Sequence, residues 1–428
     1  MTPRSAIVSR IAHEACVEAP VHRPGSRWWD ELPEDFAEQP EAFQLELMES
    51  LQVRAGAAWD YTVRTLAGTA VSALAYPIGF HPIALGRALE DRELIGPMVE
   101  ARDPDAFFRR PPRAVPIRVK SARMPLFRPQ DGACLDLSFA SPYVPVNPRI
   151  RDSYLRHSAN RIARARWWRH GRGPRPTVLA IHGFNADLYH LNEVFFAIPW
   201  LYRLGFDVVL CTLPFHGRRR TRFSPFSGHG FFAGGIARIN EAFGQAIFDI
   251  RILLNHLLLT HRVPRVGVTG VSLGGFTAAL LASVEDRLAF SIPNVPVVSL
   301  ADLMMEWRPL STLMRASLRV MRRRIRDARF LLAVTSPLTY APRIDKRRLM
   351  VIGGVGDRLA PPKQARLLWE HWGRCRLHWF PGNHVLHFDR GAYLREMARF
   401  LKSIGFFEGL PEPRQIRAER RRRLLPGR

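Results

Sequence analysis

Val266-Gly267-Val268-Thr269-Gly270-Val271-Ser272-Leu273-Gly274-Gly275-Phe276-Thr277-Ala278-Ala279 is the stretch of this 428-residue chain that decides its fold. Val266 to Thr269 reads as a short buried strand and Gly275 to Ala282 as a helix of small residues, so the chain reverses within Gly270-Val271-Ser272-Leu273-Gly274. A strand-to-helix turn this tight strains its central residue, and its flanking positions tolerate almost no side chain. The glycines thus have a mechanical reason. Ser272 is left at the tip as a candidate nucleophile.

Three further strand-to-loop junctions carry chemistry. Upstream, Thr177 to Ile181 runs into His182-Gly183-Phe184-Asn185. A developing oxyanion needs two backbone N–H donors, one from the residue after the nucleophile and one from a loop after an earlier strand. Leu273 and Phe184 are the expected pair, with His182 read as a loop-bonding residue rather than a reactive one. Downstream, Leu349 to Ile352 ends in Gly353-Gly354-Val355-Gly356-Asp357. An imidazole base needs a carboxylate to hold its tautomer, and Asp357 is the expected acid. Asp302, after the run Phe290 to Val297, is the reserve. Leu377 to Phe380 then leads into Pro381-Gly382-Asn383-His384-Val385-Leu386-His387, where His384, directly after the Gly-Asn turn, is preferred over His387 as the base.

With Ser272, Asp357 and His384 in that chain order, residues from about 135 to 405 resemble the α/β-hydrolase superfamily in its serine hydrolase branch. Leu213-Pro214-Phe215-His216-Gly217-Arg218 is similar to the turn after that family's fourth strand. The resemblance implies a mostly parallel central sheet flanked by helices. It also implies two-step acyl transfer on a carboxylic ester or thioester, with no metal or organic cofactor. The segment before about residue 130 has no recognised counterpart in the family.

The rest of the chain fits one large domain with additions. Residues 1–130 read as a helical appendage ending in a proline-punctuated linker, 131–410 as the α/β domain, and 411–428 as a basic, disordered tail. Short apolar runs without alternation, Val208 to Cys211 among them, suit strands covered on both faces. Phe243, Ile247, Ile250, Leu254 and Leu257 recur at helical spacing and form a stripe to pack on the sheet. Residues 299–345 interrupt the alternation as a helical cap, with Met304, Met305, Trp307 and Leu310 offering an apolar wall for a hydrophobic acyl group. Leu66 to Leu85 approaches a membrane-spanning length, but Pro77, His81 and Pro82 interrupt it, and a broken buried or interfacial helix pair is expected.

The net charge of +25 is almost entirely arginine, the lysines being Lys120, Lys346, Lys363 and Lys402. Such a potential draws a protein toward anionic surfaces. Arg322 to Arg326 and Arg420 to Arg423 are the clusters expected to give peripheral contact with an anionic membrane. Nucleic-acid reading would want basic residues interleaved with aromatics on one face or a reading motif, and neither is evident. Four scattered cysteines suit a reducing compartment rather than a disulfide framework or zinc site. Arg10 interrupts the apolar stretch Ala6 to Ala12, so no signal peptide is expected and the cytoplasm is the expected location. The competing class, a non-catalytic scaffold or anionic-surface binder on the same fold, predicts a damaged triad. Every triad position is filled.

Overall fold

The computed structural model describes residues 27–41, 43, 47–384 and 390–410. Among them nine strands form one sheet: β1 (Arg118–Ser121), β2 (Gly132–Ala140), β3 (Ile162–His170), β4 (Thr177–Ile181), β5 (Asp207–Thr212), β6 (Val266–Val271), β7 (Leu288–Asn294), β8 (Met350–Gly354) and β9 (Arg376–Phe380). Their order is β1-β2-β3-β5-β4-β6-β7-β8-β9. β1, β2, β3 and β5 pair antiparallel, and every neighbouring pair from β5 to β9 is parallel.

The expected strands at 177, 208, 266 and 349 are the cores of β4, β5, β6 and β8, each buried along its whole length. Continuous burial is the physical reason their sequences do not alternate. The helix Gly235–Asn255, which carries the Phe243-to-Leu254 stripe, is buried on nearly every residue because it is covered on several sides. Its Phe243 ring stacks on Phe276 of the helix Leu273–Val284, with ring centres 4.3 Å apart.

One expectation needs correction. The first 130 residues do contain a strand, since β1 lies inside the proline-rich linker and extends the sheet beyond β2. All four of its residues are exposed, so no apolar pattern marks it in the sequence. An edge strand held by backbone bonds alone leaves no such signature.

The helices of the first hundred residues, Leu47–Leu74, Pro82–Glu90 and Arg92–Ala101, share one hydrophobic core with the α/β domain, as do Trp28 and Trp29. Leu66 to Leu85 spans the end of the first helix, a short turn Tyr76–Gly79 and the start of the second. It is split between buried Phe80 and Leu85 and exposed Leu66, Ile78 and Ile83.

Three helices, Leu300–Glu306, Leu310–Val320 and Ile325–Ala333, fill the gap between β7 and β8 where a cap is expected. Met305, Leu310 and Met314 are buried in the core, which leaves Met304 and Trp307, half-buried, as the partly accessible part of the apolar wall.

Asp302 is not positioned as an acid for the imidazole. Its Oδ1 accepts from Arg329 Nη2 at 2.6 Å and its Oδ2 from Arg329 Nε at 3.0 Å, while Ser299 Oγ also donates to Oδ2. Arg329, itself fully buried, donates on to the carbonyls of Leu32 and Pro33 at 2.6 and 2.7 Å. The pair thus ties two cap helices to the segment after Trp29. Removing one partner of a buried ion pair strands the other charge and costs about 3–5 kcal/mol. Asp302→Ala should therefore lower the free energy of urea unfolding by that order and its midpoint with it. A midpoint equal to wild type would mean that the cap does not depend on this pair.

Candidate active site

β4, β6, β8 and β9 run parallel, so the loops that follow them emerge at one edge of the sheet, where open α/β sheets bind ligands. Ser272 lies in the turn after β6 with φ 56° and ψ −115°. A non-glycine residue held there stores about 1–3 kcal/mol of strain and persists only where its surroundings over-determine it. Here its N–H donates to Asn294 O at 3.0 Å, and its carbonyl accepts from Phe276 N at 2.8 Å to start the next helix. A Cβ on Gly274 would stand 2.0 Å from Ile181 O, and one on Gly270 would stand 2.1 Å from Gly274 O. Backbone fills the space a side chain would need.

Asp357 follows β8 in a turn that is zipped to the loop after β9. Val355 N donates to Phe380 O at 3.1 Å and Gly356 N to Gly382 O at 2.8 Å. The Asp357 carboxylate is fully buried. Its Oδ1 accepts the N–H groups of Leu359 (2.9 Å) and Ala360 (2.7 Å). Its Oδ2 lies 2.7 Å from His384 Nδ1. Because a carboxylate only accepts, Nδ1 carries the proton and Nε2 of the neutral ring keeps its lone pair. Burial is the strongest influence on His384 and favours the neutral ring. The Asp357 charge and hydrogen bond, with the Asp60 charge behind them, outweigh it and hold the imidazole above its ordinary value.

The β4 loop runs beside the serine, since a Cβ on Gly183 would sit 3.4 Å from Ser272 Cβ. Phe184 follows, half-buried, with its ring edge-on to Phe226 and Phe232. Leu273 opens a helix, so its N–H has no intrahelical acceptor. His182 is neutral and structural: Nδ1 donates to Gly183 O at 2.8 Å and Nε2 accepts from Leu213 N at 3.1 Å. Burial pulls it below its ordinary value. Asp357 and His384 are thus brought into contact and Gly183 against Ser272. Asp302 is held elsewhere, and His387 lies outside the described residues. Among the described residues no group of three or more His, Cys, Asp or Glu could hold a metal ion.

The sequence reading missed one contributor. Asp60, on the helix Leu47–Leu74, is fully buried, and its Oδ2 accepts His384 N–H at 2.8 Å and Arg358 N–H at 3.1 Å. The available signal was the spacing Val53, Gly56, Asp60, Arg64, which puts all four on one face of the helix.

Gly274→Ala tests the elbow without touching a reactive group. With the carbonyls of Ile181 and His182 inside 3 Å of the new Cβ, the turn must shift, and fluorophosphonate labelling of Ser272 should slow by at least about tenfold. Wild-type labelling rates would show that the serine's placement does not depend on this contact.

No protein-family model matches the chain. Two proteins of Mycobacterium tuberculosis, the uncharacterized proteins MT2702 of strain CDC 1551 and Rv2627c of strain H37Rv, are each 29% identical to it over 321 residues, 71% of this chain and 71% of theirs. Among solved structures, the acetyl xylan esterase from Paenibacillus sp. R4 covers 74% of this chain and 99% of its own at TM-score 0.50 and 14% identity. Acetyl xylan esterase 1 from Thermoanaerobacterium sp. covers 74% and 92% at TM-score 0.48 and 17% identity. The sheet order, the serine turn after β6 and the Paenibacillus likeness agree: the chain has the α/β-hydrolase fold.

Proposed function

We propose that this chain is a serine hydrolase of a carboxylic ester or thioester, with Ser272 as nucleophile, His384 as general base and Asp357 as the acid that orients it. The observation that carries the reading is the 2.7 Å contact of Asp357 Oδ2 with His384 Nδ1, which leaves Nε2 as the acceptor, on the same edge of the sheet as a strained serine. His384 Nε2 takes the Ser272 hydroxyl proton as Oγ attacks the carbonyl carbon. The N–H groups of Leu273 and Phe184 hold the oxyanion. Collapse of the tetrahedral intermediate expels the alcohol or thiol, which receives the proton from His384, and an acyl-serine remains. Water, deprotonated by His384, then attacks the acyl carbon, and the acid leaves as Oγ regains its proton.

A hydrophobic acyl group is favoured by the rings of Phe184, Phe226 and Phe232, clustered at the loop after β4. Peripheral contact with an anionic membrane is favoured by Arg322, Arg323 and Arg326, exposed at the cap, each able to add about 1 kcal/mol near a charged surface. Arg324 is exposed as well but pairs with Glu34 at 3.2 Å. Arg420 to Arg423 lie outside the described residues. Scattered cysteines favour a cytoplasmic location for it.

Ser272→Ala should abolish hydrolysis and fluorophosphonate labelling, and retained labelling would move the nucleophile elsewhere. His384→Ala and Asp357→Asn should each lower kcat by about three or more orders of magnitude with the fold intact. The base works only as the neutral ring, so activity should be lost as pH falls through the His384 pKa. Because that value is raised, the acid limb of kcat/KM should lie above the 6.5 of an ordinary histidine. A limb below it would contradict the hold that Asp357 and Asp60 have on the ring. Esters of increasing acyl length should be cleaved faster, and flotation on acidic liposomes should exceed that on neutral ones and fall with salt. A preference for acetyl esters, or equal recovery on both vesicles, would remove the lipid-like substrate and the membrane contact respectively.

A further inference from the structure

The helix Leu47–Leu74 reaches both catalytic turns along one face. A Cβ on Gly356 would meet Val53 O at 3.0 Å, Asn383 Nδ2 donates to Gly56 O at 2.9 Å, and Arg64 Nη1 donates to Arg358 O at 3.1 Å. Between them Asp60 Oδ2 accepts the main-chain N–H of His384 and of Arg358, the residue after Asp357. One carboxylate oxygen therefore binds the base's turn and the acid's turn together.

Two main-chain N–H groups do not require a carboxylate, since an amide oxygen would accept both. A buried carboxylate is a costly choice unless its charge is used, and here Oδ1 is buried with no hydrogen-bond partner among the described residues. Among the described residues, Asp357, Arg358 and His384 on the two turns act on Asp60, and Arg64 follows one turn along its own helix, where Arg54 is exposed. Glu306 lies behind Arg64 at 3.8 Å, and Lys363 pairs with Glu306 at 3.3 Å. Of these, His384 is the group that gains positive charge during the reaction.

We propose that Asp60 is a positioning residue for the His384–Asp357 pair: it locks the backbone of both turns and sets a second negative charge beside the imidazolium. The inference rests on the hydrolase reading for its effect on turnover but not for its effect on the ring. Burial and the Asp357 charge raise the Asp60 carboxyl to about 6, while the two N–H groups and the His384 charge oppose the rise. Asp60 is therefore ionised through the neutral range and supports His384 where the enzyme would work.

The test is histidine-selective NMR titration of the full chain with steady-state kinetics on p-nitrophenyl butyrate. In Asp60→Asn the His384 pKa should fall by about one unit, and the acid limb of the rate profile should move down with it. The plateau kcat should drop about tenfold while KM stays within about twofold. Asp60→Glu, which keeps the charge, should recover most of the His384 pKa. A folded Asp60→Asn chain with an unshifted His384 pKa and unchanged kcat overturns the proposal. If Asp60→Asn does not fold, Asp60→Ser, whose hydroxyl can still accept a main-chain N–H but carries no charge, is titrated in its place, and an unshifted His384 pKa with unchanged kcat overturns the proposal. A wild-type chain that neither turns over esters nor takes the fluorophosphonate would sink the hydrolase reading, while the His384 titration still decides the role of Asp60.

Discussion

The close approach of backbone to backbone at Gly270 and Gly274 is the constraint on which the site depends. Carbonyl groups of Ile181 and His182 occupy the space a Cβ on Gly274 would need, so β4, β6 and the helix Leu273–Val284 pack at a distance only glycine permits. That packing holds Ser272 at φ 56°. It also brings Gly183 against the serine, at the start of a helix whose first N–H groups have no intrahelical acceptor. Strain at one residue is balanced by the fit of three elements.

The helix Leu47–Leu74 reverses the usual rule for an amphipathic helix. Its inward face carries Gly56, Asp60, Gly68 and Ser72, all buried, whereas Leu51, Trp59 and Leu66 are 55%, 56% and 68% exposed. Apolar burial, at Val53, is thus only part of what docks this face. Glycines let the helix backbone approach the turns after β8 and β9 and the helices between β7 and β8, where a Cβ on Gly68 would stand 2.5 Å from Arg308 O. Hydrogen bonds from Asn383, Arg358 and His384 then hold it there.

Part of the arginine excess is interior structure. Arg219, Arg251 and Arg329 are almost fully buried, and each joins a carboxylate to main-chain carbonyls: Arg219 to Asp249 and Thr212 O, Arg251 to Glu285 and Phe108 O, Arg329 to Asp302 and Leu32 O. A planar group with five donors can satisfy several acceptors at once, which lysine cannot do in the same geometry. The charge that composition alone would assign to a solvated surface is, at these residues, neutralised inside the protein.

The sequence by itself determined the four strand-to-loop junctions, because a strand buried on both faces is a continuous apolar run and a turn with no room for a Cβ is a glycine. Ser272, Asp357 and His384 were legible as candidates for that reason, and the helical insertion between β7 and β8 was legible from its helical run of apolar residues. Only the tertiary structure decided which carboxylate meets the imidazole, since Asp302 and Asp357 both follow apolar runs and differ only in which partner reaches them across the fold. β1 and Asp60 were illegible for a related reason. β1 is held by main-chain bonds that any residues can make. Asp60 shares a helix face with Val53, Gly56 and Arg64, but the main-chain groups it bonds lie more than 290 residues away, and no spacing in the sequence names them.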